Sequence, residues 1–121
     1  MRSADVIEKF TLRHPEYLQP YKDKLLYEIA GIDQKEVRWH LCQIIPRLKL
    51  SENEINYAFI LCKKYLHDKS SIVKTFAMQA LFDLAQLNKN ILPEVKIIIN
   101  SCLKNGTPAM KSRARKLIHQ L

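Results

Sequence analysis

A twelve-residue pattern that recurs after 36 and then 37 residues constrains this chain more than any other feature of its sequence. The pattern begins at Val37, Val73 and Met110, and each copy has an apolar residue first and a basic residue second. Apolar residues return at the fifth, eighth, ninth and twelfth positions, which is the spacing of one face of a helix. Residues 1–10 fit the same frame one period earlier. A period of this size predicts stacked helical units that bury their apolar faces against one another.

Composition agrees with one helical domain. The chain has 121 residues, of which 47% are hydrophobic, and only 2 Gly and 5 Pro leave little room for the turns of a sheet. It contains no run of apolar residues long enough to predict a membrane span, and its first residues lack the apolar core of a signal peptide. Cys42, Cys62 and Cys102 lie in apolar helical stretches and form no CxxC pair. We interpret them as reduced core residues of an intracellular, cytoplasmic protein.

Start and stop signals predict the helix boundaries. A Ser, Thr or Asp side chain can accept hydrogen bonds from the free N–H groups of a first turn. Glycine commonly ends a helix, and proline within one produces a bend, here at Pro46 in a helix predicted to run to Leu48. The segment from Val95 to Ile99 alone resembles a strand, but the repeat frame predicts a helix. The predicted caps are Asp33 with Glu36, Ser51 with Glu54, Ser70 or Ser71, and Thr107 before Pro108, and the predicted stops are Gly31 and Gly106.

In this frame the chain resembles HEAT-repeat proteins and the related armadillo-like helical arrays. Each unit has two helices in 36 to 38 residues, an Asp or Asn in the turn, and a Val-Arg-like pair that opens the second helix. The turn residues are Asp33, Asp68 and Asn105, and the pairs are Val37-Arg38, Val73-Lys74 and Met110-Lys111.

The resemblance implies an all-α fold, a right-handed α-α superhelix (solenoid) of about three and a half repeats. Residues 1–121 then form one domain, with a half repeat at 1–14 and repeats at about 15–50, 51–88 and 89–121. The initial half repeat and the lack of a polar cap at Leu121 suggest a fragment of a longer array, or open ends that pair with another chain.

In this family the second helices line the concave side, where partners commonly lie. The resemblance therefore implies a concave wall built from residues 1–13, 36–48, 72–85 and 109–121. Arg38, Lys74 and Lys111 form a basic series that could meet phosphates or carboxylates on this wall. The family instead pairs this position with the turn Asp, here Asp33 or Asp68, and we favour that structural role.

The charge is concentrated at the end of the chain. Residues 85–121 carry 7 basic side chains and one acidic side chain, Glu94. We predict that the run Lys111, Arg113, Arg115 and Lys116 lies on the exposed arc of its helix, mostly in the first half, where the helix dipole disfavours cations. Such a patch could contact a nucleic-acid backbone, and the other interpretation is a solvated face.

Trp39, with His40 and Arg2 nearby in the repeat frame, is a further candidate for contact with a partner. A tryptophan in this position more often fills a gap between units, so both interpretations stay open.

No catalytic site, metal or cofactor is expected. His14, His40, His67 and His119 have no ligand or triad partner at suitable spacing, and the chain has no glycine-rich phosphate loop. We predict a non-enzymatic scaffold or adaptor that binds a protein segment on its concave face, with no membrane partner. The alternatives are oligomerisation through the open ends and nucleic-acid binding through the basic C-terminal helix. The nucleic-acid hypothesis requires Arg38, Lys74, Arg113 and Arg115 to share one surface.

Overall fold

The structure of the protein, a computed structural model, describes residues 14–121. The predicted helix at 1–13 and the candidate Arg2 lie outside the described residues. Within 14–121 the chain is helical and contains no strand, which confirms the all-α prediction. The α-helices are α1 (Lys22–Tyr27), α2 (Lys35–Ile44), α3 (Glu52–Tyr65), α4 (Ser71–Leu87), α5 (Leu92–Asn105) and α6 (Pro108–Ile118). Short 3₁₀ segments occur at Pro15–Tyr17, Gln19–Tyr21, Ile29–Gly31, Ile45–Arg47 and Lys89–Ile91.

Three of the predicted helix caps are confirmed. Ser51 and Glu54 form a capping box, in which the Ser51 hydroxyl accepts from the Glu54 N–H at 3.2 Å and the Glu54 carboxylate accepts from the Ser51 N–H at 2.8 Å. Ser70 caps α4, and Thr107 caps α6 ahead of Pro108. Each such cap contributes about 1 kcal/mol, so these side chains fix where the helices begin.

The predicted cap at Asp33 is wrong. The helix begins one residue later, Gln34 stands at the cap position without a side-chain hydrogen bond, and no capping box forms with Glu36. The Asp33 carboxylate instead accepts from the guanidinium of Arg38, 2.5 Å away. Asp33 stands one residue before the cap position of this helix, and its carboxylate pairs with Arg38.

Pro46 changes the second helix of the first unit more than a bend would. The α-helix ends at Ile44 and continues as a 3₁₀ turn over Ile45–Arg47. Proline has no N–H to donate to the carbonyl four residues earlier, so the last turn tightens, and Leu48 donates to the carbonyl of Ile45 instead.

The isoleucine-rich segment of the third unit is helical, as the repeat frame predicts. It lies in α5, where Val95 and Ile99 are fully buried while Ile97 faces solvent. Residues four apart share a helix face, whereas a strand would have placed all three on one side.

Helix α4 lies at the centre of the molecule and contacts α2, α3, α5 and α6. A helix that is apolar around most of its circumference must be covered by others. Burying each large apolar side chain contributes about 1.5–3 kcal/mol. The buried residues of α4 are Val73, Thr75, Ala77, Met78, Ala80, Leu81, Phe82, Leu84 and Ala85.

Gly106 ends α5 for a steric reason. Its φ of −77° and ψ of 174° are open to any residue, so left-handed geometry is not the cause. A Cβ at this position would lie 2.5 Å from the Cys102 carbonyl oxygen and 2.8 Å from the Cβ of Met110. The backbone between α5 and α6 turns too tightly to admit a side chain.

We expect Gly106→Ala to destabilise the protein by about 1–3 kcal/mol, because α5 and α6 must separate to admit the methyl group. Gly31→Ala is the matched control, since a Cβ there meets nothing within 4 Å. The control should raise the free energy of unfolding by up to about 1 kcal/mol, because alanine reduces the conformational entropy of the unfolded chain. Urea unfolding followed by circular dichroism compares the two. Equal effects in both variants would contradict the steric explanation.

Candidate functional site

The capping residues align the repeats in space. Arg38, Lys74 and Lys111 each stand four residues after the start positions Gln34, Ser70 and Thr107. The three cations therefore occupy equivalent places in the first turns of α2, α4 and α6. Their surroundings differ, and the difference decides what each can do.

Arg38 is held by the chain itself. Its Nη1 lies 2.5 Å from an oxygen of Asp33, and its Nε lies 2.9 Å from an oxygen of Asp68. The Asp33 hydrogen bond, and then the charges of Asp68 and Asp33, raise the pKa of the Arg38 guanidinium above its ordinary value. Asp68 also accepts from the backbone N–H of Ser70. Arg38 thus ties α2 to the turn between α3 and α4, which is the structural role that the resemblance implies.

Lys74 has no such partners. Counted from the start of its helix, the place of Asp33 is taken by Lys69 and that of Asp68 by Asn105. The ammonium of Lys74 makes no hydrogen bond or ion pair with any residue from 14 to 121. It lines an open groove of about 600 Å³ between the second and third units, which we call the Lys74 groove.

Trp39, Phe76 and Arg113 form a ladder across α2, α4 and α6. The rings of Trp39 and Phe76 have centroids 6.4 Å apart, and the guanidinium carbon of Arg113 lies 6.0 Å from the Phe76 centroid. Phe76 and Arg113 are the fourth residues of their copies of the pattern, whereas Trp39 is the third residue of its copy, so the row joins neighbouring positions of the repeat. Both rings are half-buried and pack against the hydrophobic core, so the row exposes part of each ring beside the half-buried Arg113.

A polar pocket of about 300 Å³ adjoins the ladder. The Arg113 guanidinium donates to the side-chain oxygen Oε1 of Gln79 at 3.0 Å. The side-chain NH₂ group of Gln79 donates in turn to the Asp83 carboxylate at 3.0 Å. Gln43 and Arg47 complete the polar lining. Burial raises the pKa of the Asp83 carboxyl, and the Gln79 hydrogen bond and the charges of Arg47 and Arg113 only partly offset this.

The cations that nucleic-acid binding requires do not share one surface. Arg38 is paired with carboxylates, while Lys74 and Arg113 line separate pockets. On α4, Phe76, Gln79 and Asp83 lie about 140–200° around the axis from Lys74. On α6, Arg115 lies about 200° from Arg113 and faces solvent.

The expected position of the C-terminal charges is partly wrong. Because α6 ends at Ile118, Arg115 and Lys116 lie in its last turn, where cations complement the helix dipole. Lys111 is half-buried and Lys116 is exposed. Lys111, Arg115 and Lys116 make no ion pair with a residue of the described range.

The arrangement of the remaining polar groups points to packing. Cys42 and Cys62 are buried against each other, and their contact together with burial raises the pKa of the Cys42 thiol, which makes it a poor nucleophile. His40 is 7% exposed, packs on Trp39 and leaves its Nδ1 without a hydrogen bond. Among residues 14–121, no three His, Cys, Asp or Glu side chains are grouped to hold a metal ion. No helix in the same range is both long enough and apolar enough to cross a membrane.

Sequence reasoning missed Gln79, Asp83 and Arg47. Each is a single polar residue on a largely buried helix or turn, and no motif marks it. The repeat pattern supplied a partial signal, because Phe76 and Arg113 share its fourth position and Trp39 stands at its third.

No protein-family model, curated protein or solved structure matches this chain.

We expect Arg38→Met to destabilise the fold by about 1–3 kcal/mol, because Asp68 then stands mostly buried without its cation. Lys74→Met is the matched control at the equivalent position and should change stability by no more than about 0.5 kcal/mol. Urea unfolding at neutral pH measures both. A comparable loss in the two variants would show that the basic series acts as one structural set.

Asp83→Asn should stabilise the protein at neutral pH. The pKa of Asp83 is higher in the folded than in the unfolded chain, so the folded state holds the proton more tightly. Stability therefore falls as pH rises through the window above the ordinary carboxyl value of 3.8, and asparagine removes that loss. The free energy of unfolding is measured for both proteins at neutral pH and below pH 3.8. The difference in favour of Asp83→Asn should be smaller at the acidic pH. A variant less stable than wild type at neutral pH would contradict the assignment.

Proposed function

We propose that this chain is a short HEAT-like solenoid that binds a protein segment on the concave surface of its second helices, and that it is not an enzyme. It acts as a scaffold or adaptor, and its free thiols Cys42, Cys62 and Cys102 favour a cytoplasmic location.

The helix contacts support the solenoid. The two helices of a unit pack together, as α3 does on α4 and α5 on α6. The second helices also contact one another in series, α2 with α4 and α4 with α6. The two-residue connection Gly106-Thr107 returns the chain directly along its preceding helix. Repetition of this contact pattern is how stacked units bury a shared core.

The ladder of Trp39, Phe76 and Arg113 is the observation that carries the function. Aromatic and arginine side chains dominate the binding energy of protein interfaces. Here they stand in a row, next to polar groups that can accept and donate hydrogen bonds to a peptide backbone. Burial disfavours the charge of Asp83, and titratable groups that are perturbed in this way cluster at functional sites.

Nucleic-acid binding is the second candidate. Lys111 and Arg115 are four residues apart on α6, and Lys116 adds a third charge without an acid nearby. These cations could neutralise backbone phosphates without the other basic residues. The candidate is weaker than peptide binding because Arg38, Lys74 and Arg113 are directed elsewhere.

Selection from a random peptide library tests the proposal. We expect the wild-type protein to enrich peptides that alter the fluorescence of Trp39, the single tryptophan of the chain. The double variant Gln79→Ala/Arg113→Ala should weaken these peptides about tenfold or more, the loss expected for an interface centre. Asn100→Ala on the exposed face of α5 is the matched control and should leave affinity unchanged.

A second arm separates the two candidates. Labelled duplex and single-stranded DNA and RNA are titrated at low and physiological salt. Steeply salt-dependent binding that is lost in Lys111→Glu/Arg115→Glu, together with no peptide enrichment, would replace peptide binding with nucleic-acid binding.

A further inference from the structure

The junction between the first and second units and the junction between the second and third units have equivalent positions but different side-chain contacts. At the first junction, a pocket of about 450 Å³ contains Arg38 with Asp33 and Asp68. The Tyr65 hydroxyl donates to the Ala30 carbonyl at 2.7 Å across the same junction. An ion pair and a buried hydrogen bond therefore lock the first unit to the second.

Each of these locking residues is replaced at the second junction. Measured from the helix starts, Lys74 stands for Arg38, Asn105 for Asp68 and Cys102 for Tyr65. The smaller Cys102 cannot fill the space that Tyr65 fills, and Asn105 supplies no charge for Lys74. The Lys74 groove is larger than the pocket at the first junction, about 600 Å³ against about 450 Å³.

The groove combines one unpaired cation with apolar walls. Leu66, Ile97, Ile98 and Met110 line it, and Ile97 is 70% exposed. Lys63 also lines it but is already paired with Glu94 at 2.6 Å. Within residues 14–121, Lys74 is therefore the lysine of the groove without a carboxylate partner, and the lining also includes the polar side chains of His67, Ser101, Asn105 and Thr107.

We propose that the Lys74 groove binds an acidic and apolar peptide segment of a partner protein. An Asp or Glu side chain of the segment takes the place that Asp68 holds beside Arg38. Apolar side chains of the segment cover Ile97, Ile98 and Met110.

The lining selects a peptide over other carriers of negative charge. A nucleic-acid backbone would set many phosphates against walls that offer one unpaired lysine and a mainly apolar surface. A fatty acid needs most of its tail enclosed, and a wall residue that is 70% exposed shows that this groove is open. A polypeptide can press one face into an open groove and leave the other in water.

The groove is separate from the ladder. Lys74 lies on the side of α4 away from Gln79 and Asp83, and the two pockets share no lining residue. Substitutions at Gln79 and Arg113 therefore leave the groove intact, and failure of one proposal does not decide the other.

The test is parallel selection of random displayed peptides on wild-type protein and on Lys74→Glu. We expect the wild-type pool to be enriched in Asp or Glu flanked by apolar residues, and the Lys74→Glu pool to lose the acids and gain Lys or Arg. Lys74→Arg should keep the acidic preference. Lys96→Glu is the matched control, because it makes the same charge change on exposed α5 outside the groove.

A synthetic peptide from the wild-type pool then serves as the probe, beside its Glu→Gln counterpart. The Gln peptide should bind at least about tenfold more weakly, as expected when one member of a charge pair is removed. Asn105→Asp should weaken the Glu peptide as well, because the new carboxylate occupies Lys74 within the chain. Methyl NMR shifts of Ile97, Ile98 and Met110 report binding in the groove.

Three outcomes would overturn the proposal. The first is that wild type and Lys74→Glu select the same acidic peptides, and the second is that wild type enriches no peptide. The third is that laurate or duplex DNA shifts the NMR signals of the groove methyl groups while no peptide does. Circular dichroism of each variant confirms that the helices remain folded.

Discussion

Burial of α4 is the constraint on which the rest of this structure depends. Four other helices pack on it, and they can do so only because small and large apolar residues alternate around almost its whole circumference. Its polar residues include Lys74 on one side and Gln79 and Asp83 on the other. Both candidate binding surfaces arise where these side chains emerge between neighbouring helices.

Equivalent positions of the repeat can either hold neighbouring units together or stay available to a partner. At the first junction Arg38, Asp68 and Tyr65 are used within the chain, and a carboxylate and a hydroxyl are satisfied by partners from the adjacent unit. At the second junction contact is kept by smaller groups, with the hydroxyls of Ser71 and Thr107 2.6 Å apart at the helix starts. The shared apolar core permits this exchange, because it supplies most of the stabilisation at either junction.

Local signals in the sequence predicted much of this fold. The first N–H groups of a helix have no acceptor within the helix, and the side chains of Ser51, Ser70 and Thr107 accept hydrogen bonds from them. These contacts are local in the chain, so the spacing of residues in the sequence is enough to predict them. The predicted cap at Asp33 was wrong, because the helix begins after Gln34 and the Asp33 carboxylate pairs with Arg38. Arg38 comes close to Asp33 only once α2 has formed. The hydrogen-bonded row from Arg113 to Asp83 was beyond prediction, because it depends on the approach of α4 and α6.

The ladder also gives the second-helix surface a direction. Phe76 and Arg113 hold the same register in successive units, with Trp39 one position earlier in its own unit, and the row changes in chemistry from two aromatic rings to a cation. A residue that served only to stack units would tend to recur unchanged, as the apolar positions of the frame do. A segment lying along this row meets apolar rings at the α2 end and positive charge at the α6 end. Reversing the segment would set its acidic end against rings that cannot pair with it, so the order of residues in a bound partner, as well as its composition, should govern affinity.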